Sequence, residues 1–340
     1  MATNVHLVGS VGLDTVEEVF ETAGRLLGTR LKRMPDGEPG GRRMWTSWQY
    51  PLLRTNAYLQ VDTGKQPSNL TGFLRLRVAD GVNPNEITFG ELGYAREARS
   101  SYLDFVAARD RGIFPKTVKF QVSFPTPYAV ICRQVTENSI PSVIGPYESA
   151  MLREVETVCR AIPHADLAIQ WDVCFEMLVW DGRWPPMPAF SGMEAAFRDQ
   201  FARLSRPVPD DVDLGFHLCY GDLDARHFVE PQDATKMTEL ANLIVTSVQR
   251  PVAYVHMPVP IQRDDEAYFA PLRNLKLPPG TELYLGLVHE KDGVEGARRR
   301  MAAARKFVSD FGIAAECGIA RGRTPAVVRR FLEVHGAASA

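Results

Sequence analysis

Short β-rich runs alternate with amphipathic helical stretches along almost the whole chain, and this alternation limits the fold more than any other feature. The runs cover residues 5–8, 30–34, 118–123, 167–171, 213–218, 252–255, 283–288 and 313–316. Each is followed by a helix or an insertion. After the first run, Asp14 reads as an N-cap, and Val16, Val19, Phe20, Ala23 and Leu27 form an apolar stripe that stops at Gly28. Near the C-terminus Thr324-Pro325 opens a helix with proline at its first position. Eight strand–helix units over 340 residues predict an α/β fold, a single (β/α)8 TIM barrel spanning 1–340. The competing architecture, a doubly wound sheet, usually has fewer strands and often a glycine-rich phosphate turn, and no such motif occurs here.

The stretch at about 40–112 breaks the rhythm and carries Trp45, Trp48, Tyr50 and Tyr58. It reads as an aromatic-rich insertion after the second strand, with a hairpin near 72–79. A loop rich in Trp and Pro (Trp180, Trp184, Pro185, Pro186) follows the fourth run.

A barrel of this kind places its functional groups at the C-terminal ends of the strands. Those ends carry Ser10; Asp36 and Glu38; Ser123; Asp172 with Glu176; His217 and Cys219; His256; His289; and Cys317. Three of the seven histidines and two of the five cysteines therefore fall at strand ends, which predicts one shared site. Alternate residues of a strand face the same side, so His217 and Cys219 project together while Leu218 turns away. With Cys317 they form a thiolate and imidazole set suited to Zn2+. His256 is the expected fourth ligand; the other reading is a histidine satisfied under the Met257-Pro258 turn. Cys132, Cys159 and Cys174 are expected to pack in the core. His289 reads as a proton donor, because imidazole titrates near neutral pH. Glu38 and Asp172 read as carboxylates for a substrate ammonium or hydroxyl, and Arg42, Arg43, Arg321 and Arg323 flank these ends.

The bulk properties narrow the setting. The formal net charge is −2, and no basic block suggests nucleic acid. No apolar run is long enough to span a membrane, and the first residues lack the pattern of a signal peptide. An odd number of cysteines without close pairing argues against a disulfide framework. A reducing cytoplasm is the expected location.

Four motifs occur in a familiar order: Asp36-Gly37-Glu38-Pro39, Ile169-Gln170-Trp171-Asp172, Phe216-His217-Leu218-Cys219-Tyr220 and Glu316-Cys317-Gly318-Ile319-Ala320-Arg321. With Gly9-Ser10 and His289 they resemble the C-terminal catalytic barrel of cobalamin-independent methionine synthase, in the methionine synthase and uroporphyrinogen decarboxylase-like superfamily. The resemblance implies His217, Cys219 and Cys317 as zinc ligands and His289 as the acid. It implies Ser10, Glu38 and Asp172 as residues that hold an amino-acid acceptor. The family's ligand glutamate falls at or near His256. The leading expectation is a zinc-dependent methyl or alkyl transferase that acts through a zinc-bound thiolate acceptor and takes a non-folate donor. Ser10, Glu38, Asp172, Ser123 and Arg321 would contact substrate. The expected partners are a small-molecule thiol and an alkyl donor, with no nucleic acid and no membrane; a homodimer is a possible assembly. Two other readings stay open. One is a lyase, hydrolase or decarboxylase in which Asp172 and His289 do acid–base work, and the other is a non-catalytic small-molecule binding protein.

Overall fold

A computed structural model describes residues 3–64, 66–67, 72–184, 192–223 and 226–340. Pro185 and Pro186 of the expected Trp- and Pro-rich loop lie outside the described residues. Ten strands occur among those described: β1 (Val5–His6), β2 (Arg33–Pro35), β3 (Leu59–Val61), β4 (Leu76–Val78), β5 (Lys119–Pro125), β6 (Leu167–Val173), β7 (Asp213–Leu218), β8 (Tyr254–Pro258), β9 (Glu282–Val288) and β10 (Gly312–Ala315). Eight of them form one sheet in the order β1-β10-β9-β8-β7-β6-β5-β2, with parallel pairing throughout. Parallel bridges Val5–Leu31 and Ser10–Gly37 bring β1 against the β2 segment. The sheet is thus a nearly closed (β/α)8 barrel, as the alternation of runs predicts.

The barrel strands are buried along almost their whole length, β1, β2, β6, β8 and β10 completely. Burial on both faces is what helices outside and packed side chains inside impose on a parallel sheet. The barrel interior carries a polar layer below the site. Gln170 accepts from the Tyr254 hydroxyl at 3.1 Å and lies 3.0 Å from His6 Nε2. Its amide nitrogen donates to Val8 O and, at 2.9 Å, to Asp172 Oδ1. At the opposite end Arg33 is held by Asp213 and Glu282 and stacks on Tyr254.

The first helix, Val16–Leu27, begins one residue later than the sequence suggests. Thr15 is the cap: its hydroxyl accepts from Glu18 N, while the Glu18 carboxylate accepts from Asp14 N. Threonine outranks the neighbouring aspartate because a glutamate stands three residues on, in a variant of the capping box whose carboxylate reaches the N–H just before the cap. The segment after β2 is also more ordered than expected. Leu59–Val61 pairs antiparallel with Leu76–Val78, so the hairpin starts well before Gly72. Tyr94–Asp110 forms a 17-residue helix. No helix among the described residues is long and apolar enough to cross a membrane.

Candidate active site

Parallel register sets the geometry of the site. Asp172 on β6 lies beside His217 on β7, and His217 beside His256 on β8. Cys219 follows β7 but keeps the ladder, because its N–H donates to Val173 O at 3.0 Å. Its thiol therefore stays on the side of His217. Gly221 then turns with φ +93°, and its N–H donates to Cys219 Sγ at 3.2 Å. A Cβ at Gly221 would strike the Phe228 ring, so glycine is what lets this amide reach the sulfur.

Cys317 comes from another strand end, just beyond β10. Its Sγ lies 3.6 Å from Cys219 Sγ and 3.6 Å from His217 Nε2, and the three donor atoms all fall within 4.8 Å of one another. A tetrahedral zinc centre with bonds of about 2.3 Å to sulfur and about 2.1 Å to nitrogen has an S–S edge of about 3.8 Å and an S–N edge of about 3.6 Å. The two edges at Cys317 fit the ion, and the third pair of donors lies within 4.8 Å. All three are buried. Cys219 is pushed well above the ordinary thiol range chiefly by Cys174 beside it, and Cys317 chiefly by Cys219. Thiols crowded this way need a cation to ionise.

His256 occupies a different place from the one expected. Its Nε2 lies 3.0 Å from Ala315 O and its Nδ1 2.7 Å from His217 Nδ1, so both ring nitrogens are engaged away from the thiols. Burial pushes it down to about pH 3, so it is neutral. A carbonyl only accepts, which puts the His256 proton on Nε2 and leaves its Nδ1 bare to accept from His217 Nδ1–H. His217 Nε2 is then bare as well, on the side of Cys317.

His289 is also neutral, pushed down to about 3 by burial and then by Arg300. Its Nε2 lies 2.8 Å from Val259 O and its Nδ1 3.9 Å from Glu316.

The triad opens into a cavity that also reaches Ser10, Glu38, Trp45, Asp172, Cys174 and Arg321. Cys174 is therefore not only core packing: it is fully buried, yet it lines this cavity. It sits two residues beyond Asp172 at a strand end, so the rule that singled out Cys219 could have found it. Asp172 accepts from Gln170 and, at 3.3 Å, from Trp45 Nε1; burial pushes its carboxyl up to about 7. Glu38 is pushed up to about 8 by burial, then by Asp172 and Asp36. Ser10 meets the backbone of Gly318 so closely that a Cβ there would lie 2.1 Å from its hydroxyl oxygen. Arg321 donates to Asp222 and approaches Cys317 Sγ at 3.7 Å. Asp222 also pairs with Arg323, whereas Arg42 pairs with Asp36 and Arg43 with Asp14. Ser123 does not reach this cavity. It lines a neighbouring cleft that shares Glu38 and Trp45 with it.

No protein-family model matches the sequence, and no curated protein matches it. Solved structures do resemble the fold. A B12-independent methionine synthase from Shewanella sp. W3-18-1, in complex with selenomethionine, aligns with a TM-score of 0.61 at 12% identity, covering 100% of this chain and 97% of that one. A putative vitamin-B12 independent methionine synthase from Listeria monocytogenes aligns at 0.57 and 12% identity, covering 97% and 95%. A methyltransferase from Methanosarcina mazei aligns at 0.51 and 9% identity, covering 98% and 93%. At such identities the likeness establishes a shared barrel over nearly the full length.

Proposed function

We propose that the chain is a zinc-dependent methyl or alkyl transferase with a small-molecule thiol as acceptor. One observation carries the reading: a histidine and two cysteines from the ends of two barrel strands converge, both distances at Cys317 matching the edges of a zinc tetrahedron, inside a cavity lined by Ser10, Glu38 and Asp172. His217 Nε2, Cys219 Sγ and Cys317 Sγ would hold the ion, leaving a position for substrate. Zinc bound there would favour the deprotonated form of the acceptor thiol at neutral pH.

The protein's own groups do the rest. His256 orients His217 and fixes its tautomer, and the Gly221 amide and Arg321 balance charge on the two cysteine sulfurs. Asp172, held by the Gln170 amide and the Trp45 indole, binds the acceptor's ammonium, which would draw its carboxyl back to the ionised form. Ser10 supplies a hydroxyl in the same cavity. The acceptor sulfur then attacks the alkyl carbon in line, its approach set by these contacts.

The test is thiol consumption with a panel of methyl donors, run on the wild type and on Cys219→Ser. The variant is expected to lose both zinc and turnover. Full turnover by a metal-free preparation of the variant would remove the reading.

A further inference from the structure

The cleft beside the triad cavity has walls of another kind. It is bounded by Trp45, Trp48 and Tyr94, with Asp36, Glu38 and Glu97 as its acids and Arg42 as its cation. Trp48 and Tyr94 meet edge to face, 4.8 Å between centroids at 72°, which makes an aromatic corner. Arg42 is already committed: Nη1 lies 2.7 Å from Asp36 and Nε 3.6 Å from Glu97. Asp36 also accepts from Ser101 Oγ at 2.7 Å and from Glu38 N at 2.9 Å. Glu38 makes no ion pair among the described residues, although it lines both cavities. Two tryptophans, a tyrosine and a carboxyl without an ion pair, which a bound cation would draw to its ionised form, are the surroundings that favour a compact organic cation.

Backbone strain falls at the same place. Glu38 and Trp45, each with φ +52°, are the two non-glycine residues with positive φ among those described. Such conformations cost about 1 kcal/mol or more, and they persist where the surrounding structure enforces them. Here they set the two side chains that both cavities share.

The chemistry of the leaving group fits such an ion. A donor whose methyl sits on neutral nitrogen or oxygen needs a proton as that atom departs. His289 lines neither cavity, and its ring nitrogens face Val259 O and Glu316. An onium donor needs no proton. The acceptor sulfur's electron pair forms the new S–CH3 bond while the C–S⁺ or C–N⁺ bond breaks. That bonding pair stays on the departing atom, which leaves as a neutral thioether or tertiary amine.

We propose that this cleft is the donor subsite and that the donor is a methylated onium ion, a sulfonium or a quaternary ammonium compound. The transfer step rests on the transferase reading above, but the binding of the cation does not.

The test therefore begins with binding to the full chain, with and without zinc, followed by tryptophan fluorescence and calorimetry. Choline is compared with its neutral isostere 3,3-dimethylbutan-1-ol, and trimethylsulfonium is titrated separately. A cation should bind saturably with or without zinc, choline about tenfold or more tighter than the isostere. Trp48→Leu and Glu38→Gln should each weaken the cation by about tenfold and leave the isostere unchanged. In the zinc-loaded protein, 13C-methyl label should then pass to a thiol, with release of dimethyl sulfide from trimethylsulfonium or of a tertiary amine from the ammonium donor. The product released assigns the donor. Equal binding of the isostere, or saturable binding of neither cation, would overturn the proposal whatever the zinc content. Cation binding without transfer would keep the subsite and count against the transferase reading.

Discussion

Replacing His256 separates two roles that its position could serve. If it orients His217, His256→Leu removes the acceptor of the His217 Nδ1–H bond, 2.7 Å in the folded protein. The buried N–H is then orphaned, at a cost of about 1–3 kcal/mol. His217 can escape that cost only by moving its proton to Nε2, the atom beside Cys317, where a metal needs a lone pair. Both outcomes weaken metal binding. Loss of such an orienting partner typically lowers metal affinity by about 10–100-fold, or about 1.4–2.8 kcal/mol. Competition with a chromophoric chelator gives the affinity, and elemental analysis at saturating zinc gives the stoichiometry. The variant should still bind one zinc per chain, more weakly. His256→Gln, whose amide can both donate and accept, should recover part of the loss. An unchanged affinity would refute the orienting role. A variant that binds no zinc at saturation, like one lacking a cysteine ligand, would show His256 to be a ligand itself.

Three further outcomes follow from the same geometry. Glu176 is fully buried, bonded by Gln200 Nε2 at 2.7 Å, and pushed by burial from 4.5 up to about 7. Its folded value exceeds the unfolded one, so the stability it contributes is complete below about pH 4.5 and is lost as pH rises through 7. Urea melts should show the wild type losing about 3 kcal/mol more than Glu176→Gln between pH 4 and pH 9; equal losses would refute this. Glu38, at about 8, ionises to receive a cation, with Asp36, Asp172, Arg42 and Arg321 facing the same space. Cation affinity should therefore rise from pH 6 to pH 9 in the wild type and stay flat in Glu38→Gln. Gly318→Ala would put a methyl 2.1 Å from Ser10 Oγ, forcing that hydroxyl aside. Thiol KM should rise while zinc content stays at the wild-type level, as metal analysis beside the kinetics would show.

Much of this site could be read from the sequence because a parallel barrel gathers its strand ends at one rim. Once the runs at 213–218 and 313–316 are seen as strands, His217, Cys219 and Cys317 must lie at that rim. Which side-chain atoms meet depends on register and on contacts across the barrel, and neither has a local signature. His256 shows this. Its place at a strand end suits a ligand, but a bond to Ala315 O, contributed by β10, turns it toward His217. Cys174 satisfies the same strand-end rule as Cys219, but a cysteine after an apolar strand also looks like core, and the sequence does not choose between the two. The aromatic corner of Trp48 and Tyr94 joins residues from separate parts of the segment after β2, which only the folded chain brings together. Glu38 and Trp45 take up positive φ, against their intrinsic preference, so no propensity argument could place them.

Zinc content tests the central claim most directly. Elemental analysis of the purified wild type, Cys219→Ser and Cys317→Ser, after dialysis against a weak chelator, should give one zinc per chain in the wild type. Both variants, still folded by circular dichroism, should have lost it. A wild type without zinc that does not take it up when supplied, or variants that keep a full equivalent, would contradict the account.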